Sequence, residues 1–205
     1  MSNIDEKIAK LKMQQRIENE KKLNNELNQD TVDTGKEKVN LEEVINQMKA
    51  GVVTLEERNF KFKKISFLDG KIELPIPLAF FEEKINNASN ITLINDLYGI
   101  SFNCAYVMEG AVKQTFKQFK EGMEKGFKEM NLYLEWLEEG EIGEKSSKVF
   151  YGTYKTPTSK GDMYNLIFYR EHNGTLIIGN YNCFYKDIEI WEYLIKASIM
   201  LMKVN

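Results

Sequence analysis

The hydrophobic pattern is plainest in the stretch from residue 148 to residue 205. Residues 163–170 (MYNLIFYR) are rich in aromatic and β-branched side chains and read as a strand. Asn173-Gly174 then supplies one of the strongest short hairpin signals, and residues 176–185 (LIIGNYNCFY) form the returning strand. From Ile188 the period changes from two to about 3.6. Ile190, Trp191, Leu194, Ile195, Ser198, Ile199, Leu201 and Met202 make a wide apolar face behind Asp187, which is placed as an N-cap. A helix this apolar must lie on something, and the adjacent sheet is the expected surface.

Upstream, residues 60–68 (FKFKKISFL) alternate, Asp69-Gly70 turns the chain, and residues 71–75 return. Pro75 and Pro77 are expected to stop that ladder, since proline has no N–H to donate. Residues 78–85 (LAFFEEKI) read as a short helix, residues 90–97 and 99–108 as a strand pair. Residues 111–130 give the clearest helix, with Val112, Phe116, Phe119, Met123, Phe127 and Met130 on one stripe. Such a stripe belongs to a core before it belongs to a ligand box. Gly122 and Gly126 weaken this helix, and close approach to the sheet is a reason to tolerate them. Residues 132–137 (LYLEWL) and 147–155 read as strands, 138–145 as an acidic turn or short strand, and 156–162 as a polar loop.

Residues 1–59 contain no aromatic residue, which places the expected domain boundary there: an N-terminal arm and linker over 1–59, and an α/β domain over 60–205. Without aromatics and with few large apolar groups, the arm cannot form its own core. Residues 5–28 carry a thin, charged helical pattern and residues 30–40 a polar linker. Asn40 then caps a short helix, with Glu43 in a capping-box position, Val44, Ile45 and Met48 apolar, and Gly51 past its end. The arm is either partly disordered or a docking helix that orders on a partner or a second copy.

Charge and composition remove several function classes. Lys and Arg total 28 against 31 Asp and Glu, for a net charge of −3, which gives no basic excess for nucleic acid. No stretch has the signature of a signal peptide or of a membrane-spanning helix, so a cytoplasmic protein without membrane insertion is expected. Cys104 and Cys183 read as buried thiols in a reducing compartment. The single histidine, His172, falls at a hairpin tip where a general base would lack fixed partners. Glu135, Glu138, Glu139, Glu141 and Glu144 read as a solvated acidic loop, able to attract or repel a charged partner. Phosphate, dinucleotide and nucleophile-elbow motifs are missing, and the ligands for a zinc site are too few. The expectation is a protein that is not an enzyme, with no metal site and no cofactor.

What the sheet offers is surplus aromatic surface. Both alternating sets along residues 163–170 and 176–185 include large apolar groups, so the second face is covered either by helices or by a partner. Tyr151, Tyr164, Phe168, Tyr181 and Tyr185 are the candidate partner-binding residues. If they form a binding face, a charge at Tyr164 or Phe168 should cost partner binding and not the fold.

The order hairpin, proline exit, short helix, strand pair, long helix, antiparallel strands and C-terminal helix resembles the Mog/PsbP-like α/β fold. The resemblance is carried by residues 67–75 (FLDGKIELP), 164–169 (YNLIFY) and 176–183 (LIIGNYNC), and by the helix of Trp191. It spans about residues 60–205 and leaves the arm unmatched. Within that fold the chain is similar to the DcrB-like branch, which includes the Eag-type chaperones of protein secretion. The resemblance implies an antiparallel sheet packed by the middle and C-terminal helices, and no catalytic residues. It also implies a cytoplasmic dimer holding an apolar helix of a secreted effector against the sheet. The residues themselves leave two further readings open: an immunity protein neutralising a toxin domain through the acidic run, and a small-molecule binder with a pocket between helix and sheet.

Overall fold

The computed structural model describes residues 40–55, 58–107, 115–143 and 148–205. The helical pattern of residues 5–28 and the linker after it lie outside the described residues, as do Val112 and Glu144. The elements are α1 (Leu41–Ala50), β1 (Val52–Leu55), β2 (Arg58–Phe67), β3 (Ile72–Pro77), β4 (Glu82–Asn86), β5 (Asn90–Asn95) and β6 (Ile100–Val107). They continue with α2 (Phe116–Glu129), β7 (Glu135–Ile142), β8 (Val149–Thr158), β9 (Gly161–His172), β10 (Thr175–Phe184), a 3-10 turn (Tyr185–Asp187), α3 (Ile188–Met200) and β11 (Lys203–Val204). β1-β2-β3-β11 make a four-stranded sheet, and β4-β5-β6-β10-β9-β8-β7 a seven-stranded one. Each pairing is antiparallel.

Local signals that carry their own chemistry appear where the sequence puts them. Asn40 Oδ1 accepts the Glu42 amide at 3.0 Å, and Gly51 closes α1 at φ +93°. The expected capping box is not made there, because Glu43 accepts from Gln47 instead. Leu68, Asp69 and Gly70 all take positive φ in the β2–β3 turn, and Asn173 and Gly174 do so between β9 and β10. Asp187 stands at the start of α3, but its side chain makes no capping bond.

The inner face of the large sheet is read directly from its register. Leu93, Phe102, Tyr181, Leu166 and Thr153 lie opposite one another across β5, β6, β10, β9 and β8. The next row holds Ile91, Cys104, Gly179, Phe168 and Tyr151. Both rows belong to the buried core. α3 closes over this face with Ile190, Trp191, Leu194, Ile195, Ala197, Ser198 and Ile199 buried, and it also touches α1 and β3. The same core takes in Val44, Ile45 and Met48 of α1 and Val53 and Leu55 of β1. The composition step at residue 59 is therefore not the edge of the folded unit. Small aliphatic side chains complete the core on that side without any aromatic group.

Four other expectations change. The prolines do not end β3: Pro75 pairs with Lys64 and Pro77 with Phe62. Both occupy positions whose backbone groups point away from β2, where β11 pairs only with Ile72 and Glu73. No donor is needed there, and the Pro75 carbonyl accepts from Ser198 Oγ at 2.5 Å. Residues 78–85 are a turn leading into β4, not a helix. Ala79 takes φ +51°, and Phe80 packs against Phe81, Tyr98 and Trp191 at 4.9–5.2 Å between ring centres. The loop expected at 156–162 is largely strand, since β8 and β9 stay paired out to Thr158 and Gly161.

The fourth change concerns the long middle helix. It starts at Phe116 behind a capping box of Thr115 and Gln118, and none of its residues is buried. Its stripe rests on the outer face of the sheet: Phe116 and Phe119 lie 5.9 and 6.1 Å from the Tyr169 ring, and Phe127 5.9 Å from Tyr154. The close approach is supplied by Gly152, where a Cβ would meet Phe116 and Trp136 at 2.8 and 2.9 Å. A Cβ at Gly122 or Gly126 would meet nothing within 4 Å. Of the acidic run, Glu135, Glu138, Glu139 and Glu141 lie in β7, which is the short-strand alternative and not the solvated loop.

A partly buried charge network ties β7 to α3. Lys196 Nζ lies 2.7 Å from Glu138 and 3.0 Å from Glu192, and Tyr151 OH donates to Glu138 at 2.6 Å. Burial opposes the charge on Glu138, but the hydrogen bonds from Lys196 and Tyr151 hold its carboxyl below the ordinary 4.5. Burial also opposes the charge on Lys196, and the two carboxylates outweigh it, so its pKa stands above the ordinary value. Cys104 and Cys183 are free and buried on the inner face, and burial pushes both thiols up to about 12.

Two stability measurements check this core. At Gly179 an added Cβ would stand 2.3 Å from the Phe168 ring and 3.1 Å from the Asn103 carbonyl. Gly179→Ala should cost about 1–3 kcal/mol in urea unfolding, and a change below about 0.5 kcal/mol would mean the ring yields freely. Glu138 has a folded pKa below its unfolded one, so its contribution is present above pH 4.5 and lost as pH falls through the folded value. Glu138→Gln should lower Tm at neutral pH, with the gap from wild type closing in acid. A gap independent of pH would show that the carboxylate charge contributes nothing.

Candidate binding site

The outer face of the large sheet carries the opposite set of side chains. Thr92, Asn103, Asn180 and Ile167 face one another across β5, β6, β10 and β9. One row away stand Asn90, Ala105, Ile178 and Tyr169, and on the other side Ile94, Ser101, Asn182 and Asn165. α2 lies over the β7–β9 part of this face through its contacts with Tyr154 and Tyr169 and the Trp136 Nε1 bond to Glu124 at 2.7 Å. Over β5, β6 and β10 the face forms an open groove of about 410 Å³, reaching from Ile85 and Asn90 to Ile167. Its floor is apolar at Ala105, Ile167 and Ile178, with a polar line of Thr92, Asn103 and Asn180 through it.

Most of the polar groups on this face satisfy one another. Thr92 Oγ1 donates to Asn103 Oδ1 at 2.9 Å, and Ser101 Oγ to Asn182 Oδ1 at 2.9 Å. Asn165 Nδ2 donates to Thr156 Oγ1 at 3.0 Å. The exception is Asn180, whose Oδ1 is buried with no hydrogen-bond partner, the only such side-chain atom among the described residues. Leaving an acceptor in that state costs about 1–3 kcal/mol.

The aromatic residues singled out from the sequence lie elsewhere. Tyr151, Tyr164, Phe168 and Tyr181 are 6%, 1%, 0% and 3% exposed, on the inner face beneath α3. They come together as core, not as a surface. Tyr164 OH reaches Glu192 at 3.3 Å, and Tyr181 stacks on Phe102 at 4.4 Å. Tyr185 is half-buried in the 3-10 turn, with Lys155 Nζ 5.4 Å from its ring centre. The correction has a simple cause: both alternating sets along β9 include large apolar groups, so their presence cannot choose between the faces. The signal that does choose is polar. Asn103 on β6, Asn180 and Asn182 on β10 and Asn165 on β9 all fall on one parity, and that parity is the outer face.

The other candidate chemistry is held in pairs. Glu135 binds Lys155 at 3.1 Å, Glu139 binds Lys120 at 3.0 Å, and Glu141 binds Lys148. With Glu138 on Lys196, four carboxylates of the acidic run are each engaged by a lysine of the same chain. His172 ends β9, its Nε2 3.2 Å from Asn173 Nδ2. Among the described residues no cluster of His, Cys, Asp and Glu is placed to hold a metal ion, and no helix is long and apolar enough to cross a membrane.

No protein-family model matches the chain. No curated protein matches it either. Solved structures do. The solution structure of cyanobacterial PsbP from Synechocystis superposes with a TM-score of 0.56 at 9% identity, covering 75% of this chain and 98% of that one. A Pseudomonas aeruginosa protein of unknown function superposes with a TM-score of 0.45 at 13% identity, over 75% of this chain and 96% of its own. A Bacteroides thetaiotaomicron protein gives 0.45 at 9% identity, over 70% and 48%. The superposition on cyanobacterial PsbP shows that the chain has a PsbP-like α+β fold.

The two faces should separate in mutagenesis. Phe168→Asp and Tyr164→Asp place a charge in the core and should abolish cooperative unfolding, whereas Ile178→Lys on the outer groove should leave circular dichroism and Tm close to wild type. A cooperative, stable Phe168→Asp variant would contradict the assignment of faces.

Proposed function

We propose that this chain is a non-catalytic adaptor or chaperone that holds one apolar α-helix of another protein in the groove beside α2. The observation that carries the reading is the partial covering of the outer face: α2 rests on β7–β9, and among the described residues no element lies over β5, β6 and β10. Strands lie about 4.8 Å apart, so this strip is roughly 10–14 Å wide with its margins. A helix with its side chains is about 10–12 Å across. One helix fits, lying next to α2 and completing the layer. Ala105 lets it approach closely, and Ile167 and Ile178 offer apolar area that such a helix would remove from water.

This reading is the one the resemblance to Eag-type secretion chaperones implies, moved from the aromatic inner face to the asparagine-bearing outer one. It needs no catalytic group or cofactor. It also suits a reducing cytoplasm, where two buried free thiols stay as they are. The immunity reading draws on unpaired carboxylates, and four in the acidic run already have lysine partners.

Capture from the native cell at low salt, run in parallel with wild type and Ile178→Lys, tests the proposal. A partner with an apolar helix should co-purify with wild type and be lost with the folded variant, its Kd weakened at least about tenfold. The same partners on both proteins, or none on either, would overturn the groove as the binding site.

A further inference from the structure

We infer that α2 and β7 form one detachable unit: β7 is clasped by charge to a helix on each side of the sheet, and when it parts from α3 it carries α2 off the outer face. The two elements are consecutive in the chain, and neither has a buried residue. They lie at the margin of the large sheet, where β7 is an edge strand with β8 as its neighbour. The ladder to β8 shifts register between Trp136 and Glu138. Apolar burial therefore secures this part of the domain only weakly.

The charged contacts that add to it fall on opposite faces of one strand. Glu138 stands opposite Thr153 on the inner face, where it accepts from Lys196 of α3 at 2.7 Å and from Tyr151 at 2.6 Å. Glu139, the next residue, stands opposite Gly152 on the outer face and accepts from Lys120 of α2 at 3.0 Å. Lys120 Nζ also lies 4.9 Å from the centre of the Trp136 ring, and Trp136 Nε1 donates to Glu124 at 2.7 Å. α2 thus grips β7 through Lys120 and Glu124, and β7 grips α3 through Glu138. Release costs little on the α3 side, because Lys196 keeps Glu192, one turn away on its own helix at 3.0 Å.

Glu138 and Glu139 are 46% and 58% exposed, so salt reaches and weakens both pairs. Opening uncovers Gly152, Tyr154 and Tyr169, which Phe116, Phe119 and Phe127 of α2 now cover. The outer face accordingly has a covered and an uncovered state, and ionic strength shifts the balance between them. This strap works in the same way whatever occupies the groove beside it.

Hydrogen exchange of the full chain, read by mass spectrometry on peptides of α2, β7, β9, β10 and α3, tests the strap. Wild type is compared at low salt and in about 1 M sodium chloride, and Glu138→Gln and Glu139→Gln at low salt. In wild type α2 and β7 should share one level of protection, at least about tenfold below that of β9, β10 and α3. Glu138→Gln should lower the protection of both about tenfold, α2 included, although the bonds of Glu138 go to Lys196 and Tyr151. Salt and Glu139→Gln should lower it severalfold. Loosening of β7 alone in Glu138→Gln, or of neither element, would overturn the unit. So would protection of α2 and β7 equal to that of β9, β10 and α3, or an unprotected α2 at low salt. Failure of Glu138→Gln to fold would overturn it as well, since a detachable strand cannot be essential to the core. Exchange indifferent to salt and to Glu139→Gln would overturn the role of charge.

Discussion

A helix that is apolar on nearly every side can be stable in water only if it is enclosed, and α3 imposes that constraint on the whole domain. Ile190, Trp191, Leu194, Ile195 and Ile199 cannot all be covered by one surface. The large sheet covers one side, and β3 with α1 covers the other. The few polar groups in this layer are each answered. Ser198 reaches the Pro75 carbonyl, Arg170 caps the chain beyond the helix through the Met202 carbonyl at 3.1 Å, and Lys196 sits between two carboxylates. The small sheet is thus the second wall of the enclosure.

That enclosure leaves the outer face as the less covered of the two among the described residues. α3 lies over the aromatic inner rows, and among the described residues the outer face receives α2, which buries none of its residues. The outer surface is polar enough, through its asparagines and threonine, to stand without a cover. It is apolar enough, through Ile167 and Ile178, to accept one. The inner face, apolar in its rows apart from Thr153, must stay closed.

Much of the architecture was legible because it is written locally. Asn173-Gly174 and Asp69-Gly70 fix two turns by backbone preference alone, and Asn40 with Gly51 brackets α1. What was not legible depends on distant partners. Residues 78–85 have a helical composition, but Phe80 is held by Tyr98 and Trp191, and β4 by the edge of β5. Pro75 and Pro77 are admitted because β11 stops short of them, which only the tertiary pairing decides. Tyr151, Tyr164, Phe168 and Tyr181 were misread as surface because aromatic residues draw attention, while in this sheet they mark the core. The parity of Asn103, Asn165, Asn180 and Asn182 held the needed information, in residue types that a search for apolar surface passes over.

The strand order has a consequence for how the domain comes into being. β10 sits between β6 and β9, so it is the seam joining β4-β5-β6 to β7-β8-β9. In a chain made from its N-terminus, both half-sheets are synthesised before the seam exists, and α3, which covers them, follows it directly. Until residues 175–200 have left the ribosome, each half has an unpaired edge and an open aromatic face. Completion of the sheet and its core therefore waits on that strand and helix, β10 pairing locally with β9 and over a long sequence distance with β6.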